Sequence, residues 1–355
     1  MKKITPTYLD SASTSKVDSR VLDEMLPYFT EYFGNASSNH LFGKKSKVAI
    51  EKARVQVSDI INCDSKEIIF TSGATESINL AIKGFIEANP DKGNHIITVK
   101  TEHKAVLSVC EYLETKGYEV TYLDVDKNGV ISMDQLRETI KENTLLVVIM
   151  YVNNETGVIQ PIREIGEFTR ENDITFFCDA TQALGKVKVD IDEDSIDMLC
   201  FSGHKLNGPK GLGVLYKRKD IKITPLIHGG GQENGLRGGT YNTPLIVGMG
   251  KACEIAKLEF KENVLKLNSK RMEIEEHYES KNIGKVNFKN IITAPHIISI
   301  TLNYFEAEEY LMLKSKEIVA STGSACNSEL IEISHVLKAI NISSPEKVIR
   351  ISIEN

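Results

Sequence analysis

Two residues of this sequence, Lys205 and Cys326, have neighbours that favour covalent chemistry. Lys205 lies in SGHKLNG (residues 202–208), after an apolar run and between glycines that let the backbone approach a ligand. A lysine at the end of a buried strand can form a Schiff base with a carbonyl group. Cys326 lies in STGSACNS (residues 321–328), which has no bulky apolar anchor, so its thiol can act as a nucleophile. Each residue alone is more often a surface lysine or a buried thiol.

Three further segments supply groups that a pyridoxal 5'-phosphate (PLP) site requires. Ala74 and Thr75 stand where a strand runs into a helix, so free amides and the Thr75 hydroxyl can hold a phosphate. Asp179 follows an apolar strand and could pair with a protonated pyridine nitrogen, which makes the ring an electron sink. His103 could stack on the ring and carry protons. Taken singly, these residues are more ordinary as a helix cap, a turn-forming acid and a structural histidine.

All of these residues follow short apolar runs that alternate with helical patterns. The predicted strands are 67–70, 95–99, 118–123, 144–150, 174–178, 196–201 and 212–216, and helical spacing covers 76–87, 105–116 and 162–171. Several strands are apolar throughout, which is typical of strands buried on both faces. The pattern predicts an α/β fold in which helices flank a mainly parallel, seven-stranded sheet.

The pattern changes after Pro244. A long, charged helical segment reaches about residue 279, followed by a strand at 297–302, a helix from residue 306 and a strand near 348–353. These elements predict a smaller α+β domain. We expect residues 14–255 to form the large cofactor-binding domain. Residues 1–13 and 256–355 would form the small domain, which carries the cysteine loop at about 321–332.

Composition limits the class of protein. The 355 residues are 41% hydrophobic and 26% charged, as in globular proteins of about two domains. The net charge of −6 argues against direct nucleic-acid binding and against attraction to anionic membranes. No run approaches a membrane span, and the N-terminus lacks a signal peptide's apolar stretch. Six scattered cysteines indicate neither a disulfide framework nor a metal site, so a cytoplasmic location is expected.

Ordered motifs along the chain resemble the cysteine desulfurases of the NifS and IscS type. These are class V aminotransferases of fold type I, the aspartate aminotransferase-like PLP enzymes. The matching segments are YLD (8–10), GN (34–35), SGATES (72–77), EH (102–103), NNETG (153–157), DATQ (179–182), SGHK (202–205), GPKG (208–211), GGGQE (229–233), GSAC (323–326) and RIS (350–352).

The resemblance implies a role for each matching residue. Lys205 would hold PLP, Asp179 would pair with its ring nitrogen, and Gln182 would bind its phenolic oxygen. The phosphate would be held by Ala74, Thr75, Ser202 and His204, and by Thr240 from the second subunit of a homodimer. Arg350, with Asn154 and Asn35, would bind the carboxylate of L-cysteine. His103 would stack on the ring and carry protons, and Cys326 would accept the sulfur as a persulfide and pass it to an acceptor protein.

Some features depart from the family's usual pattern. The run SASTS (11–15) replaces an Asn-Ala-Ala-Thr-Thr-like run, and Arg237-Gly238-Gly239-Thr240 replaces Arg-Ser-Gly-Thr. The chain ends five residues after Arg350, whereas family members usually continue for a few dozen, so we expect a specialised acceptor rather than the general scaffold protein. The length of the cysteine loop resembles the subgroup in which the cysteine is mobile.

Several interpretations remain open from the sequence. His335 is expected to be a loop or packing residue, and the other five cysteines are expected to be core residues. A selenocysteine lyase or another class V enzyme is the alternative function. A non-catalytic sulfur-relay protein is disfavoured because Lys205, Asp179, His103 and Cys326 are all present. The sulfur could go to iron–sulfur clusters, to tRNA thiolation or to DNA phosphorothioation.

Overall fold

The computed structural model describes residues 5–322, 324–327 and 330–354, and for 324–327 and 330–332 it describes the backbone alone. The strands are β1 (Thr7–Tyr8), β2 (Ile68–Thr71), β3 (His95–Val99), β4 (Glu119–Leu123), β5 (Thr144–Val148), β6 (Thr175–Asp179), β7 (Met198–Ser202), β8 (Gly213–Lys217), β9 (Gly284–Val286), β10 (Ile297–Leu302), β11 (Ile318–Val319), β12 (Ser321–Thr322), β13 (Ser324–Asn327), β14 (Leu330–Ile333) and β15 (Val348–Ser352). The α-helices are α1 (Ser19–Met25), α2 (Pro27–Thr30), α3 (Leu41–Ile61), α4 (Ala74–Ala88), α5 (Lys104–Glu114), α6 (Met133–Thr139), α7 (Ile162–Glu171), α8 (Thr243–Leu258), α9 (Phe260–Ser280), α10 (Ala307–Leu313) and α11 (His335–Ala339).

The large sheet contains the seven strands that the sequence predicted. Its order is β2-β8-β7-β6-β5-β3-β4, and the pairs among β3, β4, β5, β6 and β7 are parallel. Only β8 runs against its neighbours β2 and β7 among the described strands of this sheet. The predicted α/β architecture with a mainly parallel sheet is therefore confirmed, and each predicted strand lies within two residues of its observed bounds.

Burial on both faces explains why these strands are apolar throughout. Every residue of β3, β5, β6 and β7 is buried, and two separate apolar clusters cover the opposite faces of the sheet. Adjacent residues of one strand divide between the clusters, as Phe176 and Phe177 do, because successive side chains point to opposite faces.

No helix in the described part of the chain is long and apolar enough to cross a membrane.

A second sheet packs with the C-terminal helices. Its order is β12-β15-β10-β9, and all its pairs are antiparallel. A separate apolar cluster joins this sheet to α9 and α10, and Leu9 packs against the same cluster. The predicted long helix is divided at Glu259 into α8 and α9. The domain bounds, 14–255 for the large domain and 1–13 with 256–355 for the small domain, remain a prediction.

One buried ion pair joins elements that are distant in the sequence. Arg54 of α3 donates from Nη1 and Nη2 to the Glu233 carboxylate at 2.8 and 2.9 Å, and Glu233 also accepts from the Phe70 amide at 3.0 Å. The two charged side chains are 9% and 2% exposed. The pair therefore ties α3 and β2 to the turn that contains Glu233.

We expect Glu233→Ala to lower the free energy of unfolding of the protein by about 3–5 kcal/mol, because it leaves the Arg54 charge buried without a partner. Urea denaturation followed by circular dichroism measures this change. The matched control is Glu167→Ala, which breaks the exposed Arg163–Glu167 pair of α7 and should change stability little. Equal effects of the two substitutions would contradict the expectation.

Candidate active site

The site lies where the parallel strands of the large sheet end. Segments following β2, β3, β5, β6 and β7 meet at one edge, as ligand-binding loops do in open α/β sheets. They enclose a cavity of about 720 Å³. The sequence-predicted residues that line it are Ala74, Thr75, His103, Asn154, Asp179, Gln182, Ser202, His204, Lys205 and Arg350.

Lys205 lies in a short 3-10 turn directly after β7. Its Nζ donates to the backbone carbonyls of Ala12 and Ser13 at 2.5 and 2.6 Å. Burial lowers the pKa of Lys205 to about 8, and the nearby Arg350 charge acts in the same direction. The amine is therefore available unprotonated at a pH where an ordinary lysine is almost fully charged.

Asp179 and Gln182 occupy the end of β6 and the turn after it. Asp179 is 6% exposed, and its Oδ1 accepts from the Thr181 amide at 2.9 Å. Gln182 donates from Nε2 to the Ala12 carbonyl at 2.9 Å, and its Oε1 lies 3.2 Å from His296 Nε2. Both side chains are thus held in place while they line the cavity.

His103 caps the N-terminus of α5. Its Nδ1 accepts from the Ala105 amide at 3.1 Å, which assigns the proton of the neutral ring to Nε2. Burial lowers the pKa of His103, although the Asp179 carboxylate acts in the opposite direction. The ring therefore favours the neutral form with Nε2 as its donor.

The start of α4 offers backbone donors to an anion. Its N-cap is Gly73, which makes no side-chain capping hydrogen bond, so the first amides of this 15-residue helix are not satisfied by a cap. Gly213 of β8 packs so closely that a Cβ there would lie 2.4 Å from the Gly73 backbone. Ser202 and His204 line the same cavity, and burial lowers the pKa of His204 to about 4.

Arg350 of β15 brings a guanidinium to the same cavity from the second sheet. Its Nη1 donates to the Asn154 carbonyl at 3.0 Å, and its Nη2 donates to Asp10 Oδ1 at 2.7 Å. Nη2 also lies 2.7 Å from Ser13 Oγ and 3.1 Å from Ser321 Oγ. The guanidinium is therefore oriented by residues from both ends of the chain.

Two predicted residues that the structure describes, Asn35 and Thr240, do not line this cavity. Asn35 and Thr240 are exposed elsewhere on the chain, and Asn35 Oδ1 accepts from the Ser37 amide. The side chain of Cys326 lies outside the described residues, so its role and its mobility remain predictions. The backbone of β13, which contains it, pairs antiparallel with β14.

Other expectations about individual residues can be compared with the structure. Cys110, Cys178, Cys200 and Cys253 are buried, and Cys63 is partly buried against the main core. Their expected place in or beside the core is therefore confirmed. His335 begins α11, and its Nε2 bonds to the Glu102 carbonyl at 2.8 Å.

The sequence interpretation gave no role to two carboxylates near the cavity. Glu102 is fully buried, its Oε1 accepts from the Met150 amide, and its Oε2 has no hydrogen-bond partner among the described residues. Burial and then the Asp179 charge raise the pKa of Glu102 well above its usual value. Glu155 accepts from Ser334 Oγ at 2.5 Å, just beyond the cysteine loop. Glu102 lies beside His103 in the EH motif, but the motif alone did not indicate that the Glu102 side chain is buried.

A protein-family model provides independent information about this arrangement. The model described as "Aminotransferase class-V" matches residues 7–355. The chain belongs to the aminotransferase class-V family. The Schiff-base lysine and phosphate-binding helix start that we predicted from sequence thus lie in one cavity of a class-V aminotransferase fold.

Individual relatives place the chain more narrowly within the class-V family. A protein named "Cysteine desulfurase IscS" from Methanosarcina thermophila is 48% identical over 351 residues, which cover 96% of this chain and 84% of the relative. A solved "NIFS-LIKE PROTEIN" has a TM-score of 0.93 and 36% identity, covering 99% of this chain and 94% of that one. A structure described as "SspA in complex with cysteine" has a TM-score of 0.87 and 40% identity, covering 98% and 99%.

The cofactor of this class-V enzyme is PLP. The donor set of the cavity fits that group. The start of α4, which has no side-chain cap, can hold a phosphate, while the buried carboxylate of Asp179 can neutralise a ring nitrogen. Lys205 supplies an amine with a lowered pKa for the aldehyde carbon.

We expect the amine of Lys205 in the cofactor-free protein to react with formaldehyde and cyanoborohydride at a rate that is half-maximal near pH 8, because the reactive form is the neutral amine. Mass spectrometry of the peptides after reaction at increasing pH measures this. Lys188 is the control, since its hydrogen bond to Glu193 raises its pKa. If Lys205 instead reacted over the same pH range as Lys188, its amine would not be desolvated as described.

Proposed function

We propose that this chain is a PLP-dependent L-cysteine desulfurase, which converts L-cysteine to L-alanine and transfers the sulfur to Cys326 as a persulfide. One observation carries the proposal: a single cavity holds Lys205, Asp179 and His103 beside the carboxylate-binding candidate Arg350. The similarity to proteins named cysteine desulfurase, over nearly the whole chain, supports the same activity. The similarity to SspA, solved with cysteine, supports cysteine as the substrate.

The cofactor-holding roles are distributed over the sheet edge. When bound, PLP supplies an electron sink for negative charge at the α-carbon of the substrate. Lys205 would hold the cofactor through Nζ, Asp179 would pair with the ring nitrogen, and Gln182 would donate its second amide hydrogen to the phenolic oxygen. The residues proposed to hold the phosphate are Ala74, Thr75, Ser202 and His204.

The proposed substrate-binding roles depend on the guanidinium of Arg350. Arg350, supported by Asn154, would bind the α-carboxylate, and this places the α-carbon in the cavity that Lys205 lines. Lys205 Nζ would then remove the α-proton, for which its lowered pKa favours the neutral amine. Asn35, which does not line the cavity, would have only an indirect role within this chain.

The hydrogen bond at His103 Nδ1 limits the proposed role of this residue as a proton shuttle. While Nδ1 accepts from Ala105, the Nε2 proton can be shared in a hydrogen bond, but the ring has no free nitrogen to take a proton. His103 would therefore stack on the ring and donate from Nε2, and it would carry protons only when Nδ1 releases the Ala105 amide.

The sulfur step requires the thiolate of Cys326, because a protonated thiol is a poor nucleophile. The thiolate forms a new S–S bond to the substrate sulfur as the C–S bond breaks. The electron pair of the C–S bond stays with the substrate carbon, which gains a proton and becomes the methyl group of alanine. Cys326 is left as a persulfide.

We propose that the enzyme is a homodimer. Thr240 is exposed and lies outside the cavity of its own chain, as expected if it reaches the phosphate of the second subunit. Large apolar side chains are exposed along α1, α2 and the start of α3, and a second copy would cover them. They are Leu22, Leu26, Phe29, Leu41 and Phe42.

The acceptor of the sulfur would be a protein partner in iron–sulfur cluster assembly, tRNA thiolation or DNA phosphorothioation. Loading Cys326 with labelled sulfur from L-cysteine, followed by pull-down and mass spectrometry of labelled proteins, identifies the partner. Transfer that persists in Cys326→Ala would contradict a relay through this thiol.

We expect Cys326→Ala to keep the visible absorbance of lysine-bound PLP but to form alanine from L-cysteine at least about a hundred-fold more slowly, because the sulfur loses its acceptor. Lys205→Ala should lose both the absorbance and the activity. Chromatography of alanine measures the reaction. The matched control is Cys63→Ala, since this thiol lies outside the cavity, and its activity should equal that of wild type.

Two outcomes would contradict the proposal. If the wild-type protein formed no alanine from L-cysteine, the proposed desulfurase activity would be wrong. Wild-type and Cys326→Ala proteins with equal turnover of selenocysteine and none of cysteine would instead identify a selenocysteine lyase.

A further inference from the structure

The segment that departs from the family's usual pattern contributes an extra hydroxyl to the proposed carboxylate site. Ser13 lies in the run SASTS (11–15). Its Oγ donates to Asp10 Oδ1 at 2.9 Å and accepts from Arg350 Nη2 at 2.7 Å. Ser13 is exposed, and it lines both the main cavity and a neighbouring cavity that includes His335.

The hydrogen bonds of Arg350 indicate which group a ligand must displace. Nη2 carries two hydrogens, but three acceptors lie within 3.1 Å: Asp10 Oδ1, Ser13 Oγ and Ser321 Oγ. Among the described residues, Nη1 has one acceptor, the Asn154 carbonyl. A carboxylate that binds both Nη atoms can use the spare hydrogen of Nη1, and at Nη2 it has to displace one of the acceptors.

Ser13 is the acceptor that can be displaced most easily. Asp10 carries a charge that pairs with the guanidinium, and its side chain is 17% exposed. Ser321 is partly buried and does not line the main cavity. The Ser13 hydroxyl faces the main cavity and can rotate, so it can change from accepting a hydrogen bond from Arg350 to donating one to an incoming oxygen.

We propose that Ser13 is a specificity-determining residue that contacts the substrate: when an amino acid binds, the Ser13 hydroxyl leaves Arg350 Nη2 and turns its one hydrogen from Asp10 Oδ1 to the α-carboxylate. This inference rests on the proposed function, since it takes the carboxylate of L-cysteine as the ligand of Arg350. The backbone of the same residue accepts from Lys205 Nζ, so Ser13 stands between the amine and the carboxylate site.

The test compares an amino acid with the same molecule lacking its carboxylate. Isothermal titration calorimetry of the holoenzyme gives the dissociation constants of L-alanine and ethylamine, neither of which carries sulfur. We expect Ser13→Ala to weaken L-alanine about 5- to 10-fold, the size of a lost hydrogen bond to a charged group that water partly replaces. Ethylamine should bind Ser13→Ala as it binds wild type.

Kinetics supply a second readout. Ser13→Ala should raise KM for L-cysteine by a similar factor and leave kcat within about two-fold, because the contact is made in both ground and transition states. Ser13→Thr keeps a hydroxyl and should restore most of the affinity for L-alanine.

The matched control is Ser321→Ala, because the Ser321 hydroxyl has the same partners, Asp10 and Arg350, without facing the main cavity. Its effect on L-alanine should be clearly smaller. The proposal is overturned if Ser13→Ala binds L-alanine as wild type does, if both serine variants lose affinity equally, or if ethylamine is weakened as much as L-alanine. Failure of wild-type protein to form alanine from L-cysteine would instead contradict the desulfurase activity.

Discussion

The hydrogen bonds between Lys205 Nζ and the carbonyls of Ala12 and Ser13 connect the two parts of the site. The lysine comes from the large sheet, whereas the carbonyls belong to a segment that also bonds to the C-terminal strand. Ser11 Oγ donates to the Ile353 carbonyl, and the Ala12 amide donates to Ser352 Oγ. This segment therefore connects Arg350 to the cavity of the large sheet and fixes the position of the guanidinium relative to the Lys205 amine.

Desolvation sets the protonation of the groups around the cavity. Burial lowers the pKa values of Lys205, His103 and His204, and it raises that of Glu102. In each case the neutral form gains, because a charge is costly away from water. The bases around the cavity thus favour their neutral forms, so Lys205 keeps a free electron pair for a carbonyl carbon.

The cysteine loop is attached at both ends to the residues that surround Arg350. At the start of the loop, Ser321 Oγ donates to Asp10 Oδ1 at 2.7 Å. After it, Ser334 Oγ donates to Glu155, whose neighbour Asn154 accepts from Arg350 through its carbonyl. The two attachment points of the loop carrying Cys326 therefore lie beside the proposed carboxylate site.

The sequence by itself determined the sheet and most of the cavity. Strands buried on both faces give continuous apolar runs, and residues after such strands converge at one edge, so the local pattern could place Lys205, Asp179 and His103 together, while their individual roles came from the family resemblance. The tertiary structure decided the rest. It determines that Arg350 is hydrogen-bonded by Asp10, Ser13 and Ser321, that Glu102 is buried, and that Arg54 pairs with Glu233. The residues that make these hydrogen bonds are up to 340 positions apart. Local periodicity carries no information about such contacts, because they arise only when segments distant in the sequence pack together in the folded chain.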